Sequence, residues 1–352
     1  MLPIFDGHND VLLRLERKSD PDGGAASFLA GDDAGHLDLP RARAGGLIGG
    51  LFAVFIPSNE LEGSLDTLMS APQYDVPLPT PTDSTYAQAY TLRLVSLLLR
   101  IARSSDGAVR VCHDAAALRE AIRVGALATV LHLEGAEPID PEFKMLETLF
   151  AAGLRSIGPV WSRPNLFGHG VPFRFPSSPD TGPGLTDAGK ALVRACNELK
   201  VMIDISHITE QGFWDVASCS DAPLVASHSN VHAICPHSRN LTDRQIAAIR
   251  DSGGLVGVNY ATCFLREDGR INADTPLDIL IRHADYLIAR LGVDHVGLGS
   301  DFDGAVIPKD IGNAAGLPRL IEAFRASGYD DATLRKICSE NWLRVLERTW
   351  GR

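Results

Sequence analysis

The sequence predicts an α/β fold, a TIM-type (β/α)8 barrel formed by one domain over residues 1–352. Short apolar runs bounded by Gly, Pro, Asp or Asn recur along the chain. Segments with helical periodicity lie between them, which is typical of a parallel sheet with crossover helices. The length of 352 residues also suits one barrel, because such barrels often exceed about 250 residues as a single domain.

Eight segments are predicted to form strands, because each is a short apolar run between turn-forming residues. They are Leu2–Phe5, Ile48–Phe55, Ala128–Leu133, Arg155–Val160, Val201–Ile205, Pro223–Ser227, Gly254–Asn259 and His295–Gly299. Eight strands with helical crossovers favour a closed barrel. A doubly wound open sheet is the alternative.

Five of the intervening segments are predicted to be helices, because their apolar spacing and end signals agree. They are Tyr86–Ser104, Thr186–Leu199, Thr242–Ser252, Thr275–Leu291 and Asp331–Arg348. Thr186 and Thr242 are predicted N-caps, and Pro276 falls in a first turn. Three stretches rich in Gly, Pro, Ser or Asp are predicted to be long loops near the active site: Lys18–His36, Ser58–Asp83 and Arg163–Pro183.

Composition and charge exclude several classes of protein. Apolar residues make up 45% and charged residues 22% of the chain, and the net charge is −11. No run of Lys or Arg occurs, so nucleic-acid binding is disfavoured. No apolar stretch approaches the ~18 residues of a membrane span, and no leader or lipid-anchor pattern is visible. The six cysteines form no CxxC pair, which predicts reduced thiols and a cytoplasmic location.

Polar residues follow the first predicted strand, where a barrel would place its active site. His8 and Asp10 are two residues apart, so in an extended chain both face the same side. An imidazole and a carboxylate in that arrangement can bind one cation. Ordinary loop polarity is the alternative, because a single His-x-Asp is a weak signal.

Glu134 follows the third apolar run and precedes a glycine, so we expect it to point into the barrel mouth. A carboxylate there needs a cation, a donor or an altered pKa. A salt-bridged or capping role is the alternative. The preceding His132 has the opposite parity to its apolar neighbours, and we interpret it as a core histidine rather than a ligand.

His207 and His228 end the fifth and sixth predicted strands. Together with His8, Asp10 and Glu134 they provide imidazole and carboxylate donors, the ligands that zinc favours. Such a set suits two metals close together. Asp204 and Ser206 are candidates for the next layer of partners.

Asp301 follows the eighth predicted strand, where it could accept a proton from an activated water and pass it on. Asp303 is interpreted as a turn residue because Gly304 follows it. Arg239, in the loop after the sixth strand, is a candidate for binding a carboxylate, and a solvated arginine is the alternative. The sequence contains no dinucleotide fingerprint, P-loop or GxSxG nucleophile motif.

Together these segments resemble the renal, or membrane, dipeptidase family of metallopeptidases, which are metal-dependent hydrolases with amidohydrolase-type barrels. The resemblance runs nearly end to end. It rests on the strings FDGHND, HLEG, DISH, SHSNVHAICPHSRNLTD, DHVGLGSDFDG and NWLRVLE.

The resemblance implies a dipeptidase with two divalent metal ions, zinc in that family. His8 and Asp10 would bind one metal and His207 and His228 the other, with Glu134 as the bridge. It also implies dipeptide substrates, many with a D-residue at the C-terminal side.

For the remaining site residues, the resemblance assigns the acid/base role to Asp301 and the binding of the substrate carboxylate to Arg239. Tyr260 would line the substrate pocket. The family usually carries a histidine at the end of the fourth strand, and this chain has Trp161 there. We therefore treat Trp161 as a pocket residue and His169, in the following loop, as a candidate replacement for the histidine.

Two other interpretations stay open. The chain could be another hydrolase on the same barrel: a lactonase, a deacylase or an N-acyl-amino-acid hydrolase. It could also be a metal- or ligand-binding barrel without turnover. The expected partners are a small dipeptide substrate and, as an open point, a second copy in a homodimer; no nucleic acid or membrane partner is expected.

Overall fold

The computed structural model describes residues 1–18, 24–58, 65–69 and 71–351. Its strands are β1 (Ile4–Asn9), β2 (Leu47–Phe55), β3 (Tyr74–Asp75), β4 (Val109–Val111), β5 (Leu127–Glu134), β6 (Leu154–Gly158), β7 (Arg174–Phe175), β8 (Met202–Ile203), β9 (Val225–Ala226), β10 (Leu255–Asn259) and β11 (Val296–Gly299). The parts of the predicted loops Lys18–His36 and Ser58–Asp83 that fall at 19–23, 59–64 and 70 lie outside the described residues.

The helices alternate with the strands. They are α1 (Val11–Glu16), α2 (Ala25–Ala30), α3 (Leu39–Gly45), α4 (Leu65–Leu68), α5 (Ser84–Ser104), α6 (Ala115–Arg123), α7 (Lys144–Ala152), α8 (Asp187–Leu199), α9 (Glu210–Cys219), α10 (Asp243–Asp251), α11 (Thr262–Leu265), α12 (Leu277–Leu291), α13 (Leu317–Ala326), α14 (Asp331–Arg335) and α15 (Asn341–Trp350). Two 3-10 turns (Val293–His295, Ala314–Gly316) and a π-helical turn (Lys336–Glu340) complete the set.

Eight parallel strands form the barrel in the order β8-β6-β5-β2-β1-β11-β10-β9. A single parallel bridge between Asp204 and Val225 joins the two ends of this order, and the Ile205 amide donates to the Val225 carbonyl at 2.8 Å. The barrel is thus nearly closed, which confirms the predicted fold class and excludes the open sheet.

The eight predicted strands are all present, with altered bounds. The first is longer than predicted and includes Asp6–Asn9, with a register shift against β2 between Asp6 and Asn9. The fifth and sixth have only two residues each. Three further strands were not predicted: β4, which pairs beside β5, and the antiparallel pair β3 and β7 inside two of the predicted loops.

Two of the predicted helix starts are confirmed, whereas Pro276, predicted in a first turn, is the N-cap residue of α12. Thr186 accepts a hydrogen bond from the Gly189 amide, and Thr242 forms a full capping box with Gln245. The predicted helix Asp331–Arg348 is present as one continuous helical segment, Asp331–Trp350, in which a π-helical turn lies between α14 and α15. After that turn, Trp342 lies in the barrel interior, where its Nε1 donates to the Leu298 carbonyl at 2.9 Å.

The apolar core has two layers. One lies inside the barrel, where Phe5, Val130 and Leu255 pack against Trp342. The larger layer lies between the strands and the surrounding helices. Because both layers are filled, the space left for polar chemistry is at the carboxyl ends of the strands.

Candidate metal and active site

The side chain of Glu134 lies at the centre of a buried polar cluster at the carboxyl ends of the strands. Its Oε1 atom is 3.1 Å from His207 Nε2 and 3.6 Å from His228 Nε2. Its Oε2 atom is 3.6 Å from His8 Nε2, which in turn is 3.4 Å from Asp10 Oδ2. The structure thus brings together the five predicted side chains, with one oxygen of Glu134 directed towards each pair.

The second nitrogen of two imidazoles is held by a serine. His207 Nδ1 is 2.8 Å from Ser162 Oγ, and His228 Nδ1 is 2.7 Å from Ser227 Oγ. Both Nε2 atoms therefore face Glu134, and they are 3.1 Å apart. This orientation, with Nδ1 hydrogen-bonded and Nε2 directed inward, is the usual arrangement of histidines that bind a metal.

The imidazole of His8 also fits a metal. It is fully buried and stacks on His228 with a centroid separation of 3.8 Å. Neither of its ring nitrogens has a hydrogen-bond partner in the described part of the chain. Since an unpaired buried polar atom costs about 1–3 kcal/mol, a cation bound at His8 Nε2, between Asp10 and Glu134, would remove part of that cost.

Burial dominates the electrostatics of the cluster. It lowers the pKa of His207 and His228 well below the usual range, which keeps both rings neutral, the form that binds metals. It raises the pKa of Glu134 well above the usual range. At His8 burial alone would lower the pKa, but the carboxylates of Glu134 and Asp10 outweigh it and raise that pKa to about 10.

A second layer of polar side chains lies beneath the imidazoles. Ser206 and Ser227 each donate their amide and hydroxyl groups to the carboxylate of Asp204, at 2.5–3.0 Å. His132 is buried, with Nδ1 at 2.8 Å from Ser156 Oγ and Nε2 at 3.6 Å from Asp204 Oδ2. Asp204 therefore connects the strand ends that carry His207 and His228.

Asp301 lies beside the same cluster. Its carboxylate, His8 and Asp10 each offer a ligand atom within 4.8 Å of the others. Asn259 Nδ2 donates to Asp301 Oδ2 at 2.9 Å and fixes the carboxylate. Asp301 has φ +59°, and His207 has φ +66°; such left-handed backbone is uncommon outside glycine and is frequent at functional sites.

Asn259 is a site residue that the sequence analysis missed. It ends β10, directly before Tyr260, which had been singled out instead. Tyr260 is fully buried, with its ring in edge contact with Phe302 at 5.9 Å, and it is not part of the cavity wall. The last strand residue, and not the residue after it, therefore reaches Asp301.

Arg239 is buried next to the cluster. Its Nη2 donates to the His228 carbonyl at 3.1 Å and its Nη1 to Ser229 Oγ at 3.4 Å. The guanidinium lies 5.3 Å from the ring centroid of Phe264, and Nε has no hydrogen-bond partner in the described structure. The cation is thus held at the site with donor capacity to spare.

A cavity of about 770 Å³ opens above the cluster. Asp10, Glu134, His207 and Asp301 line its polar side. Trp161 lines it as well, and so the strand-four position does face the cavity. Neither His169 nor Arg239 is among the residues that line the cavity. Arg239 adjoins the lining residue Phe264, whereas the ring nitrogen Nδ1 of His169 is 3.4 Å from the Gly184 carbonyl, so the structure does not bring His169 to the cluster.

Asp303, interpreted from the sequence as a turn residue, also binds a neighbouring loop through its carboxylate. Its carboxylate accepts hydrogen bonds from the His36 and Leu37 amides at 2.6 and 3.3 Å. Arg14 Nε lies 3.2 Å from the same carboxylate. These contacts anchor the loop before α3 to the end of β11, next to Asp301.

The fold and the cluster define a class, that of barrel hydrolases with histidine and carboxylate side chains at the carboxyl ends of the strands. The sequence profile of the family described as "Membrane dipeptidase (Peptidase family M19)" matches residues 1–350. The chain belongs to this family of metallo-dipeptidases.

Two curated bacterial relatives agree in sequence. A Klebsiella pneumoniae protein, described as "Uncharacterized protein in pqqA 5'region", is 53% identical over 256 residues, or 73% of this chain and 94% of that protein. An Acinetobacter calcoaceticus protein, "Uncharacterized protein in PQQ-III 3'region", is 42% identical over 292 residues, or 82% of this chain and 90% of that protein.

Solved structures agree as well. A metallo peptidase from Rhodobacter sphaeroides, crystallised with a phosphinate mimic of the dipeptide L-Ala-D-Ala, has a TM-score of 0.97 and 53% identity, covering 99% of both chains. A structure of the dipeptidase AC gives the same TM-score and identity, over 100% of this chain and 99% of that one. The probable dipeptidase PvdM from Pseudomonas aeruginosa, at 24% identity and TM-score 0.83, over 99% of this chain and 96% of that one, shares the fold.

The predictions of reduced cysteines and of no membrane-spanning segment can be compared with the described residues. All six cysteines lie in the described part and are free thiols. Among the described helices, we find none with the length and apolar character that crossing a membrane requires.

Proposed function

We propose that this chain is a binuclear zinc-dependent dipeptidase that accepts L-Xaa-D-Xaa substrates. The observation that carries the proposal is the position of Glu134, whose two oxygens face His8 on one side and His207 and His228 on the other. His8 and Asp10 would hold one metal, His207 and His228 the second, and Glu134 would bind both.

A divalent metal pair supplies Lewis acidity, which acidifies water and polarises a carbonyl oxygen. The chain itself supplies the remaining functions. The carboxylate of Asp301, held by Asn259, accepts the proton of the attacking water and delivers it to the leaving amine. Arg239 binds the terminal carboxylate of the substrate, which restricts good substrates to short peptides.

The L,D preference draws on the Rhodobacter sphaeroides relative, which was crystallised with a mimic of L-Ala-D-Ala. Because the two chains are 53% identical over nearly their full length, we expect this site to accept the same configuration, and we choose L-Ala-D-Ala as the first substrate. A cytoplasmic location and a homodimer remain predictions from the sequence; fractionation and light scattering test them directly.

The test combines metal analysis with a small set of substrates. We expect the purified protein to contain two equivalents of zinc, to hydrolyse L-Ala-D-Ala, and to lose activity to background after chelation, with recovery on adding zinc. N-acetylated L-Ala-D-Ala is the matched control, because it lacks only the free amine. Full turnover by protein shown to be free of metal would refute the proposal, and preference for the acetylated compound would favour an N-acyl-amino-acid hydrolase.

A further inference from the structure

Four aromatic side chains form one continuous side of the cavity, which we call the aromatic wall: Phe55, Trp161, Phe173 and Phe264. The centroid separations along the wall are 4.9 Å from Phe55 to Trp161, 5.7 Å from Trp161 to Phe173 and 6.0 Å from Phe173 to Phe264. These rings come from three parts of the barrel: Phe55 ends β2, Trp161 and Phe173 lie in the segment between β6 and α8, and Phe264 lies in α11 after β10.

The aromatic wall begins at the candidate metal ligands and ends at the candidate carboxylate anchor. At one end, Trp161 and Phe173 lie 5.8 and 6.3 Å from the His207 ring. At the other end, Phe264 lies beneath the guanidinium of Arg239 at 5.3 Å. The wall therefore spans the distance between the position of the scissile bond and the position of the substrate carboxylate in the proposed function.

The part of a dipeptide that lies between those two positions is its C-terminal residue. The nitrogen of that residue belongs to the scissile bond, and its carboxylate would pair with Arg239. We propose that the aromatic wall is a specificity site for the C-terminal side chain, and that the substrates are dipeptides with a bulky apolar residue at that position. This inference rests on the proposed dipeptidase function.

Size and polarity favour a large apolar group. The cavity of about 770 Å³ is in the range of pockets that hold drug-sized ligands, far more than the methyl groups of an alanine dipeptide occupy. Beyond the wall, further apolar residues extend the lining: Met69, Ala261, Cys263 and Ile271. An aromatic or branched side chain would displace water from this surface, whereas a methyl group would leave most of it wetted.

The wild-type test uses two isomeric substrates and a small reference. The metal-loaded enzyme is assayed with Ala-Phe, Phe-Ala and Ala-Ala, each with the C-terminal residue in the configuration that the enzyme accepts. We expect kcat/KM for Ala-Phe to exceed that for Ala-Ala by about 10- to 100-fold, the factor that burial of an aromatic side chain provides. Phe-Ala, which has the same atoms, should show no comparable gain.

Variants of the central ring locate the effect. Phe173→Ala should lower the ratio of kcat/KM for Ala-Phe over Ala-Ala by about tenfold, and Phe173→Leu should lower it less. The control is Phe150→Ala, which removes an aromatic ring from α7, where it packs against Arg155 outside the cavity. This control should keep the wild-type ratio. If Phe173→Ala does not fold by circular dichroism, the leucine variant carries the test.

The outcomes separate the two proposals. Hydrolysis of all three dipeptides at similar kcat/KM, or a gain for Phe-Ala instead of Ala-Phe, overturns the role of the aromatic wall and leaves the dipeptidase intact. A ratio that is unchanged in both Phe173 variants also overturns it. No hydrolysis of any dipeptide by the zinc-loaded enzyme overturns the proposed function and the inference with it.

Discussion

The hydroxyl of Ser227 connects a buried carboxylate with a candidate metal ligand. It donates to Asp204 Oδ2 at 2.5 Å, and therefore accepts the proton of His228 Nδ1 at 2.7 Å. Ser227→Ala would leave that ring nitrogen without a partner in a dry environment. Loss of such a partner typically weakens metal binding by about 10- to 100-fold, or ~1.4–2.7 kcal/mol, and we expect that loss for one of the two metals.

A matched control lies one strand away. Ser206 Oγ also donates to Asp204, at 2.8 Å, and accepts from the backbone amide of His228 at 3.3 Å, but among the described residues it has no hydrogen bond with an imidazole. Ser206→Ala therefore removes the same kind of hydrogen bond from the carboxylate and leaves His228 Nδ1 paired. The assay is zinc affinity by competition with a calibrated chelator, with the stoichiometry from elemental analysis. Only the Ser227 variant should show one weakened equivalent.

Two results would refute this reasoning. Equal losses of affinity in both serine variants would mean that the carboxylate, and not the imidazole contact, controls the site. Unchanged affinity in Ser227→Ala would mean that the metal does not bind through His228 Nε2. Thermal melts of the metal-free variants separate these cases from a general loss of folding.

Three further predictions concern single sites. Gly304→Ala would place a Cβ at 2.1 Å from Asp10 Oδ2 and 2.6 Å from Asp301 Oδ1, so both carboxylates would have to move. Because a shift of about 1 Å at a catalytic group can lower the rate about 100-fold, we expect kcat/KM to fall at least tenfold in a steady-state assay. Burial lowers the pKa of His283 from 6.5 to about 4. Between these values the unfolded chain binds a proton that the folded chain does not, so the free energy of unfolding falls as pH decreases from 6.5 towards 4, by about 2 kcal/mol at pH 5. His283→Gln should flatten the pH dependence of stability in this range, as measured by urea denaturation. His169→Ala should keep a wild-type kcat/KM because its ring faces Gly184 and not the cavity; a tenfold loss would restore its predicted role.

The sequence predicted the parts of this protein whose signals are local. Each barrel strand is an apolar run with turn residues at its ends, so all eight were found. The residues directly after those runs, such as Glu134 and His228, then had to meet at one rim, because parallel strands all end there. The distances around Glu134 agree with that expectation.

Other features depend on contacts between distant segments and have no local signal. His207 pairs with Ser162, 45 residues away, and not with the adjacent Ser206. Asn259 reaches Asp301 across 42 residues. The partners in both pairs are ordinary polar residues, and only the packing of neighbouring strands selects them. Tyr260 was expected in the substrate pocket from the family resemblance, whereas its side chain is buried in the core.

The junction of β8 and β9 has a consequence for how this barrel stays shut. These strands are its shortest, and one backbone bridge joins them. The two chain segments that leave this junction carry His207 and His228, whose Nε2 atoms nearly touch. A cation bound by both rings would cross-link these two segments and stabilise the closed barrel. For variants of the metal ligands that lose turnover, stability therefore has to be measured before the loss is attributed to chemistry.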